Sequence, residues 1–180
     1  KVRQGVQQAA AGGYSIDNSL RFNSPDSSYL GWTAGTATDR NKWTISFWHK
    51  MGNIPSSTTL IMAADGSNFQ VRQTGNKWIV RDDYLGGILF TTDQVFRDPS
   101  AWYHFVIVWD TDQGTATNRI KFYINGTITT GTWSSTPSSG ANSAWNNASK
   151  AHALMNSNGG SSFVDGYLAE VHFIDGQALD

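Results

Sequence analysis

Residues 43–49, Trp-Thr-Ile-Ser-Phe-Trp-His, carry a strongly patterned run of apolar side chains. Trp43, Ile45 and Phe47 stand at alternate positions. Alternate residues of an extended chain point to the same side, so these three side chains would pack one face of a strand against a core. The run at 102–109, Trp-Tyr-His-Phe-Val-Ile-Val-Trp, is almost wholly apolar, which predicts a central strand covered on both faces.

Other segments share this enrichment in β-branched and aromatic residues and are bounded by Gly, Asn, Asp, Ser and Pro. They predict further strands at residues 19–22, 60–63, 69–73, 78–81, 120–124 and 166–174. Asn125 and Gly126 tolerate positive φ and separate residues 120–124 from 127–130, so a tight hairpin is expected there. Short strands joined by turns, without alternating helices, predict an all-β fold: a two-sheet antiparallel jelly-roll sandwich.

The composition is typical of one β-rich domain, with 180 residues, 13% aromatic and 15% charged. Residues 1–14 are rich in Gln and Ala and predict an N-terminal arm or linker before a domain over 15–180.

The net charge is −1 and no Lys/Arg cluster occurs, so nucleic acid is not expected as a partner. No apolar run reaches the roughly 20 residues that span a bilayer, so membrane insertion is not expected either. The chain has no cysteine, which excludes disulfides and thiolate metal sites.

Four segments, taken in order, resemble laminin G-like jelly rolls of the concanavalin A-like superfamily. They are residues 43–48, 102–106, 122–126 and 165–174. The resemblance covers roughly residues 19–178, nearly the whole of the expected domain. It implies a concanavalin A-like lectin/glucanase sandwich for residues 15–180.

The closing run, residues 165–180, more narrowly resembles domains of bacteriophage structural and tail-fibre proteins. This resemblance implies a non-enzymatic virion structural module: a capsid decoration, head-fibre or tail-fibre domain on the virion surface, assembled in the host cytoplasm. Its expected partners are other virion proteins and further copies of itself, with a homotrimer favoured. The alternative is a stand-alone lectin-like adhesion domain that binds host surface glycans, and both functions could hold together.

Residues 131–150 form the longest stretch without a strand signal and are dominated by Ser, Thr, Asn and Gly. A loop of this length in a compact domain is functional or poorly ordered. Sugars are recognised by aromatic faces beside planar hydrogen-bonding groups, and the loop contains both kinds of residue. Its candidates for ligand binding are Trp133, Trp145, Asn142 and Asn146. Trp78 and Tyr84 are second candidates; the alternative for these Trp residues is packing against the core or a neighbouring subunit.

Some proteins of this fold hydrolyse glycans, so catalytic pairs need to be considered. Glycoside hydrolysis normally requires two carboxyl groups, whereas Glu170 is the only glutamate and has no carboxylate beside it in its strand. We interpret Glu170 as a structural residue inside the sandwich. Asp82 and Asp83 are adjacent and would point to opposite sides of a strand, which favours a role in a turn. No catalytic residue is therefore expected, and a glycan-degrading enzyme is a distant alternative.

The four histidines lack the spacing of a transition-metal site. Calcium needs only oxygen ligands, and Asp110 and Asp112 weakly resemble the start of a calcium loop. The closing glutamate of that motif is missing, so a solvated turn is the favoured interpretation. No cofactor is expected, and calcium is the one ion left open.

Overall fold

The computed structural model describes residues 16–54, 58–157, 160 and 162–179, so the predicted arm at 1–14 lies outside the described residues. Thirteen strands make up the described fold: β1 Leu20–Phe22, β2 Leu30–Thr33, β3 Lys42–Met51, β4 Thr59–Ala64, β5 Phe69–Thr74, β6 Lys77–Asp82, β7 Gly87–Thr92, β8 Trp102–Asp110, β9 Ile120–Ile124, β10 Thr127–Ile128, β11 Gly131–Trp133, β12 Ala151–Leu154 and β13 Gly166–Asp175. The helices of this part of the chain are short 3₁₀ turns at Ser24–Asp26, Asp83–Leu85 and Ala116–Asn118. None of them has the length and apolar character needed to cross a bilayer.

The strands form two antiparallel sheets. One has six strands in the order β1-β13-β3-β8-β9-β10, and the other has seven in the order β11-β7-β6-β5-β4-β12-β2. The chain crosses between the sheets repeatedly, so strands distant in sequence become neighbours. This architecture confirms the predicted all-β jelly-roll sandwich.

Strand β3 lies near the centre of the six-stranded sheet, between β13 and β8. Its alternate residues Trp43, Ile45 and Phe47 are at most 2% exposed, which confirms the predicted inner face. Strand β8 differs from its prediction. Phe105, Ile107 and Trp109 on its inner face are buried, and so is Val108 on the outer face, but Trp102 and His104 of the outer face are half-exposed. Only one end of the strand is therefore covered on both faces.

Aromatic side chains join the two sheets. Trp43 stacks on Trp109 with ring centroids 5.0 Å apart, and Phe69 of the seven-stranded sheet meets Trp43 edge-on at 5.7 Å. Further along, Trp78 contacts Phe105 across the sandwich at 4.3 Å. Each such ring removes a large apolar area from water, so these contacts dominate the packing of the core.

The predicted hairpin is confirmed. Asn125 and Gly126 have φ values of 51° and 77°, as a two-residue type I′ turn requires, and β10 pairs back onto β9. The polar stretch at 131–150 begins with a strand that the sequence did not indicate, β11, which pairs with β7. The remainder turns inward, and residues 143–146 are buried. This segment is therefore part of the packed fold rather than a solvated loop.

One side of the sandwich is open. Strand β1 pairs only with the first half of β13, from Leu20↔Leu168 to Phe22↔Gly166. A β-bulge interrupts the pairing of β13 with β3 between Ala169 and His172, and Glu170 in this bulge has a φ of 47°. Beyond the bulge no described strand covers the outer edge of β13, and β2 is the corresponding edge of the other sheet. The second half of β13 and β2 thus border the same gap between the sheets.

Candidate functional site

A pocket of about 220 Å³ occupies this gap, and we call it the edge pocket. Its walls come from β2, the loop after β2, the 134–150 segment, β12 and β13. The residues that line it are Trp32, Ala34, Gly35, Thr36, Trp145, Asn146, His152, Phe173 and Asp175. The edge pocket lies where no described strand pairs with the outer edge of the second half of β13 or with the outer edge of β2.

Three aromatic rings shape the edge pocket. Trp145 is 1% exposed and forms its base. Trp32 and Phe173 lie on either side, each with its ring centroid 5.9 Å from that of Trp145 and roughly perpendicular to it. Trp32 is 42% exposed and Phe173 is 37% exposed, so both present apolar ring surface to solvent.

The position of Trp32 is fixed by the strand behind it. Trp32 is the cross-strand partner of His152 in β12, and the two rings stack with centroids 5.3 Å apart. His152 is itself held at both nitrogens: Nε2 accepts a hydrogen bond from the Asn146 backbone at 3.2 Å, and Nδ1 donates to the Lys150 carbonyl at 3.0 Å. Burial lowers the pKa of His152, so a neutral imidazole supports the tryptophan.

Asn146 and Asp175 provide the polar side of the edge pocket. The Asn146 side-chain amide donates to Asp175 Oδ1 at 2.5 Å, and the same carboxylate accepts from the backbone N–H groups of Thr38 at 2.5 Å and Asp39 at 3.2 Å. Partial burial acts to raise the pKa of Asp175, but these hydrogen bonds outweigh it and lower the pKa below its ordinary value. Asp175 is therefore an ionised, firmly positioned carboxylate at neutral pH.

The side chains that line the edge pocket offer the kinds of contact that a sugar can use. Exposed ring faces can stack against the C–H face of a sugar, and an amide and a carboxylate can hydrogen-bond its hydroxyl groups. Asp175 is the one acidic residue that lines the pocket, and two carboxyl groups are normally needed for glycoside hydrolysis. In the part of the chain that the structure describes, no group of three or more His, Cys, Asp or Glu side chains could hold a metal ion.

The ligand-binding residues predicted from the sequence lie in several separate parts of the fold. Trp145 and Asn146 do line the edge pocket, although Trp145 is too buried to offer a stacking face. Trp78 is 1% exposed and packs in the core against Phe105, so its interpretation as a ligand-binding residue is wrong and the alternative of core packing holds.

The other candidates lie away from the edge pocket. Trp133 in β11 packs against Phe90 at 5.1 Å, on the opposite edge of the seven-stranded sheet. Asn142 is exposed and does not line the pocket. Tyr84 is half-exposed, and its hydroxyl donates to Asp65 Oδ2. These residues do not form one site with Trp145 and Asn146.

The acidic residues singled out in the sequence take part in local contacts. Asp110 Oδ1 accepts a hydrogen bond from the backbone N–H of Asp112, and Asp112 forms an ion pair with Lys42 at 2.9 Å. These contacts belong to the turn that follows β8. Asp82 caps the 3₁₀ turn after β6 by accepting from the Tyr84 N–H, as expected for a turn residue. Glu170 is not inside the sandwich; it lies in the bulge and contacts His172 at 3.1 Å.

Sequence reasoning missed Trp32, Phe173 and Asp175. Trp32 lies in the short run Tyr-Leu-Gly-Trp-Thr at 29–33, where the glycine hides the strand pattern. Phe173 lies in the closing strand predicted at residues 166–174, and Asp175 is the last residue of that strand in the structure. The bulge at Glu170 changes the register there, and no sequence signal marked it beforehand.

Comparison with known proteins agrees with this architecture. The Laminin_G_3 family, described as the concanavalin A-like lectin/glucanases superfamily, matches residues 23–179. No curated protein sequence matches the chain. Among solved structures, the native heptameric SAP-like pentraxin from Limulus polyphemus superposes with a TM-score of 0.59 at 15% identity, over 98% of this chain and 75% of that one.

A sialidase from Trypanosoma rangeli, solved in complex with sialic acid, superposes with a TM-score of 0.54 at 13% identity. The match covers 78% of this chain but only 22% of the sialidase. At these identities the likeness establishes the fold alone, whereas the family match spans most of the sequence. The chain therefore belongs to the Laminin_G_3 family of the concanavalin A-like lectin/glucanases superfamily.

Proposed function

We propose that this protein is a non-catalytic carbohydrate-binding module that holds a sugar unit in the edge pocket. The observation that carries the proposal is the pair of exposed rings, Trp32 and Phe173, flanking a pocket whose polar side is Asn146 and Asp175. The description of the superfamily as lectin/glucanases supports carbohydrate as the class of ligand.

The volume of the edge pocket and the charge of Asp175 restrict the class of sugar that can bind. The edge pocket, at about 220 Å³, lies below the roughly 300–1,000 Å³ of pockets for drug-sized molecules, so it suits one or two sugar rings. Asp175 is ionised at neutral pH and would repel an acidic sugar at close range. We therefore expect a neutral sugar, bound weakly at a single site.

A substitution of Trp32 tests the proposal directly. We would first screen the protein on a glycan array and then titrate the best neutral glycan by NMR. Trp32→Ala should weaken binding by about tenfold or more, because stacking on an exposed aromatic ring is lost. Trp32→Phe should retain part of the affinity.

Tyr29→Ala is the matched control, since Tyr29 is exposed just before the same strand but does not line the pocket. It should bind as the unmodified protein does. The proposal fails if no neutral glycan binds, or if Trp32→Ala binds as tightly as Tyr29→Ala. Trp145→Ala is a poor test because removing a buried ring would also unfold part of the core.

A second candidate function is a structural role on a bacteriophage particle, which the resemblance of the closing run supports. A virion-surface module of this kind would assemble as a homo-oligomer, with a trimer expected. Analytical ultracentrifugation tests this candidate, and a pull-down with purified particles tests its attachment to other virion proteins. A stable monomer that does not associate with particles would contradict the structural role and leave glycan binding intact.

A further inference from the structure

The β-bulge in β13 places an aromatic ring and a carboxylate in the edge pocket. Before the bulge, the even-numbered residue Leu168 faces the core and is 2% exposed. The extra residue at Glu170 shifts the alternation of the strand by one, so the odd-numbered residues Phe173 and Asp175 face the gap between the sheets. Because they are two residues apart in an extended strand, their Cα atoms are about 7 Å apart. A ring and a carboxylate therefore lie side by side in the same pocket.

The negative charge of Asp175 is not offset by a cation of the pocket. The groups that donate hydrogen bonds to its carboxylate, the backbone N–H groups of Thr38 and Asp39 and the side-chain amide of Asn146, are uncharged. Among the described residues that line the edge pocket, none is a lysine or an arginine, and burial keeps His152 neutral. In the described part of the chain, no ion pair involves Asp175.

Three basic side chains belong to segments around the edge pocket, and each has another partner. The ammonium groups of Lys42 and Lys150 form ion pairs with other acidic residues, at 2.9 and 3.0 Å. The guanidinium of Arg40 donates to the carbonyl of Ser143. Burial acts to raise the pKa of Asp175, and hydrogen bonds from uncharged groups lower it. The charge of this carboxylate is therefore available to a ligand.

The two exposed rings of the edge pocket also carry no cation of the described residues. The side-chain cations that lie over a ring in this part of the chain are Arg21 and Lys50, and both lie over Tyr167. Trp32 stacks on a neutral imidazole and remains half-exposed, as does Phe173. The face of an aromatic ring attracts a cation within about 6 Å of its centroid. An ammonium group in the edge pocket would thus meet ring faces and a carboxylate together.

We propose that the edge pocket selects an amino sugar, whose ammonium group lies against the rings of Trp32 and Phe173 and pairs with the Asp175 carboxylate. This selectivity rests on the proposed function, since the sugar ring is held by the same stacking contact. A neutral sugar stacks and forms hydrogen bonds. An amino sugar makes the same contacts and adds an ion pair, so it binds more tightly.

Matched sugars test the selectivity on the intact chain. The disaccharide of two glucosamine units carries ammonium groups at about pH 6, whereas its N-acetylated form has the same rings and no charge. Galactosamine and N-acetylgalactosamine form a second pair, which differs in the orientation of one hydroxyl group. By NMR titration, we expect the ammonium form of at least one pair to bind about tenfold more tightly than the acetylated form. This ratio of affinities should fall as the salt concentration rises.

Asp175→Asn tests the contribution of the carboxylate. The substitution removes the charge, so the two members of the preferred pair should bind with similar affinity, and their ratio should fall by about tenfold. A variant that merely loosened the loop held by Asp175 would weaken both members and keep the ratio. Asp93→Asn is the matched control, because Asp93 is exposed and does not line the pocket, and it should leave the ratio unchanged. The ratio in the unmodified protein decides the matter even if Asp175→Asn does not fold.

Ethylammonium, which has the charge without the sugar ring, should not displace the amino sugar at an equal concentration. Equal affinities within both pairs, a ratio that Asp175→Asn leaves unchanged, or displacement by ethylammonium would each overturn the selectivity. The proposed function would survive these results, because it requires only that a neutral sugar binds and that Trp32→Ala weakens this binding. Failure of the neutral sugars to bind would overturn the proposed function instead.

Discussion

His49 is an unusual core residue. It is 1% exposed on the inner face of β3, its ring meets Trp78 edge-on at 5.4 Å, and neither ring nitrogen has a hydrogen-bond partner among the described residues. Burial lowers its pKa from 6.5 to about 3, because the charged imidazolium would lose its hydration. His49 is thus a neutral packing residue that resists protonation in the folded state.

This lowered pKa makes folding sensitive to acid. Between pH 6.5 and about 3 the unfolded chain binds a proton that folded His49 does not, so this residue makes the free energy of unfolding fall as the pH falls. The slope is up to about 1.4 kcal/mol per pH unit. We expect His49→Leu to gain about 2–3 kcal/mol relative to the unmodified protein between pH 7 and pH 4. Urea unfolding at each pH measures this gain.

Asp82 has the opposite effect on the pH dependence of the free energy of unfolding. Burial raises its pKa from 3.8 to about 6, more than the hydrogen bonds from Ala144, Ser143 and Tyr84 lower it. Between about pH 4 and 6 the folded state holds this proton more tightly than the unfolded chain does, so its contribution to stability falls as the pH rises through that window. The slopes from His49 and Asp82 largely offset each other there.

Replacing Asp82 by a residue without a carboxyl group should therefore make the pH dependence of stability that His49 confers easier to measure. We expect Asp82→Asn to lose stability more steeply than the unmodified protein as the pH falls from 6 to 4. Asp83→Asn is the control, because Asp83 is exposed and pairs with Arg81. Parallel pH profiles for Asp82→Asn and the unmodified protein would show that Asp82 titrates normally in the fold.

For single residues, the sequence indicates which side chains could contact a ligand, but it does not show which of them are buried or which lie next to each other in the fold. Trp145 and Asn146, which are adjacent in sequence, both line the edge pocket, and their role in ligand binding stays a prediction. Trp32 and Phe173 belong to opposite sheets and meet only when the sandwich closes, so no local pattern could pair them. Burial of Trp78 could not be distinguished from exposure either, since a tryptophan in a strand fits both faces.

Among the elements, the strands with long β-branched or aromatic runs were predicted, whereas four strands that are short or contain glycine were not. Strands β2, β7, β11 and β12 were missed. Three of them, β2, β7 and β11, contain glycine; β2 and β12 have only 4 residues each, and β11 has 3. Such strands are stabilised by the neighbours that they pair with rather than by their own propensity, which a sequence pattern does not reveal.

Strand β11 depends on the absence of a side chain at Gly131. A Cβ there would lie 2.3 Å from a ring carbon of Phe90 and 2.4 Å from the Thr91 carbonyl oxygen, closer than real contacts allow. We expect Gly131→Ala to push β11 away from β7 and to destabilise the protein by about 1–3 kcal/mol, with Trp133 becoming more exposed. Thermal unfolding and acrylamide quenching measure the two effects.

Gly114→Ala is the matched control, because a Cβ at Gly114 meets nothing within 4 Å. It should change the stability by less than about 0.5 kcal/mol. Equal stability of the two variants would mean that β11 can shift without cost, and its pairing with β7 would then contribute little to the fold.

On the scale of the whole molecule, the sheets are tied together by sequence-distant contacts. Strand β1 closes onto β13, and β2 closes onto β12. The Thr44 hydroxyl donates to the Gln177 carbonyl at 2.9 Å and accepts from the Leu179 N–H at 2.9 Å, so the end of the described chain is fixed to β3. Neither sheet can lose its partner without exposing the aromatic rings between them, which predicts a single cooperative unit.

Trp109 is a suitable residue for testing this cooperativity, because it is fully buried, stacks on Trp43 and meets Phe69 of the other sheet at 6.2 Å. Trp109→Leu should destabilise the protein by about 3–5 kcal/mol, since it leaves a cavity between the sheets. Near-UV circular dichroism, which reports aromatic packing, and far-UV circular dichroism, which reports the strands, should shift together to the same lower urea midpoint. Trp102→Leu on the half-exposed outer face should cost much less. Two separated transitions in Trp109→Leu would mean that the sheets unfold independently and that the aromatic layer does not unite them.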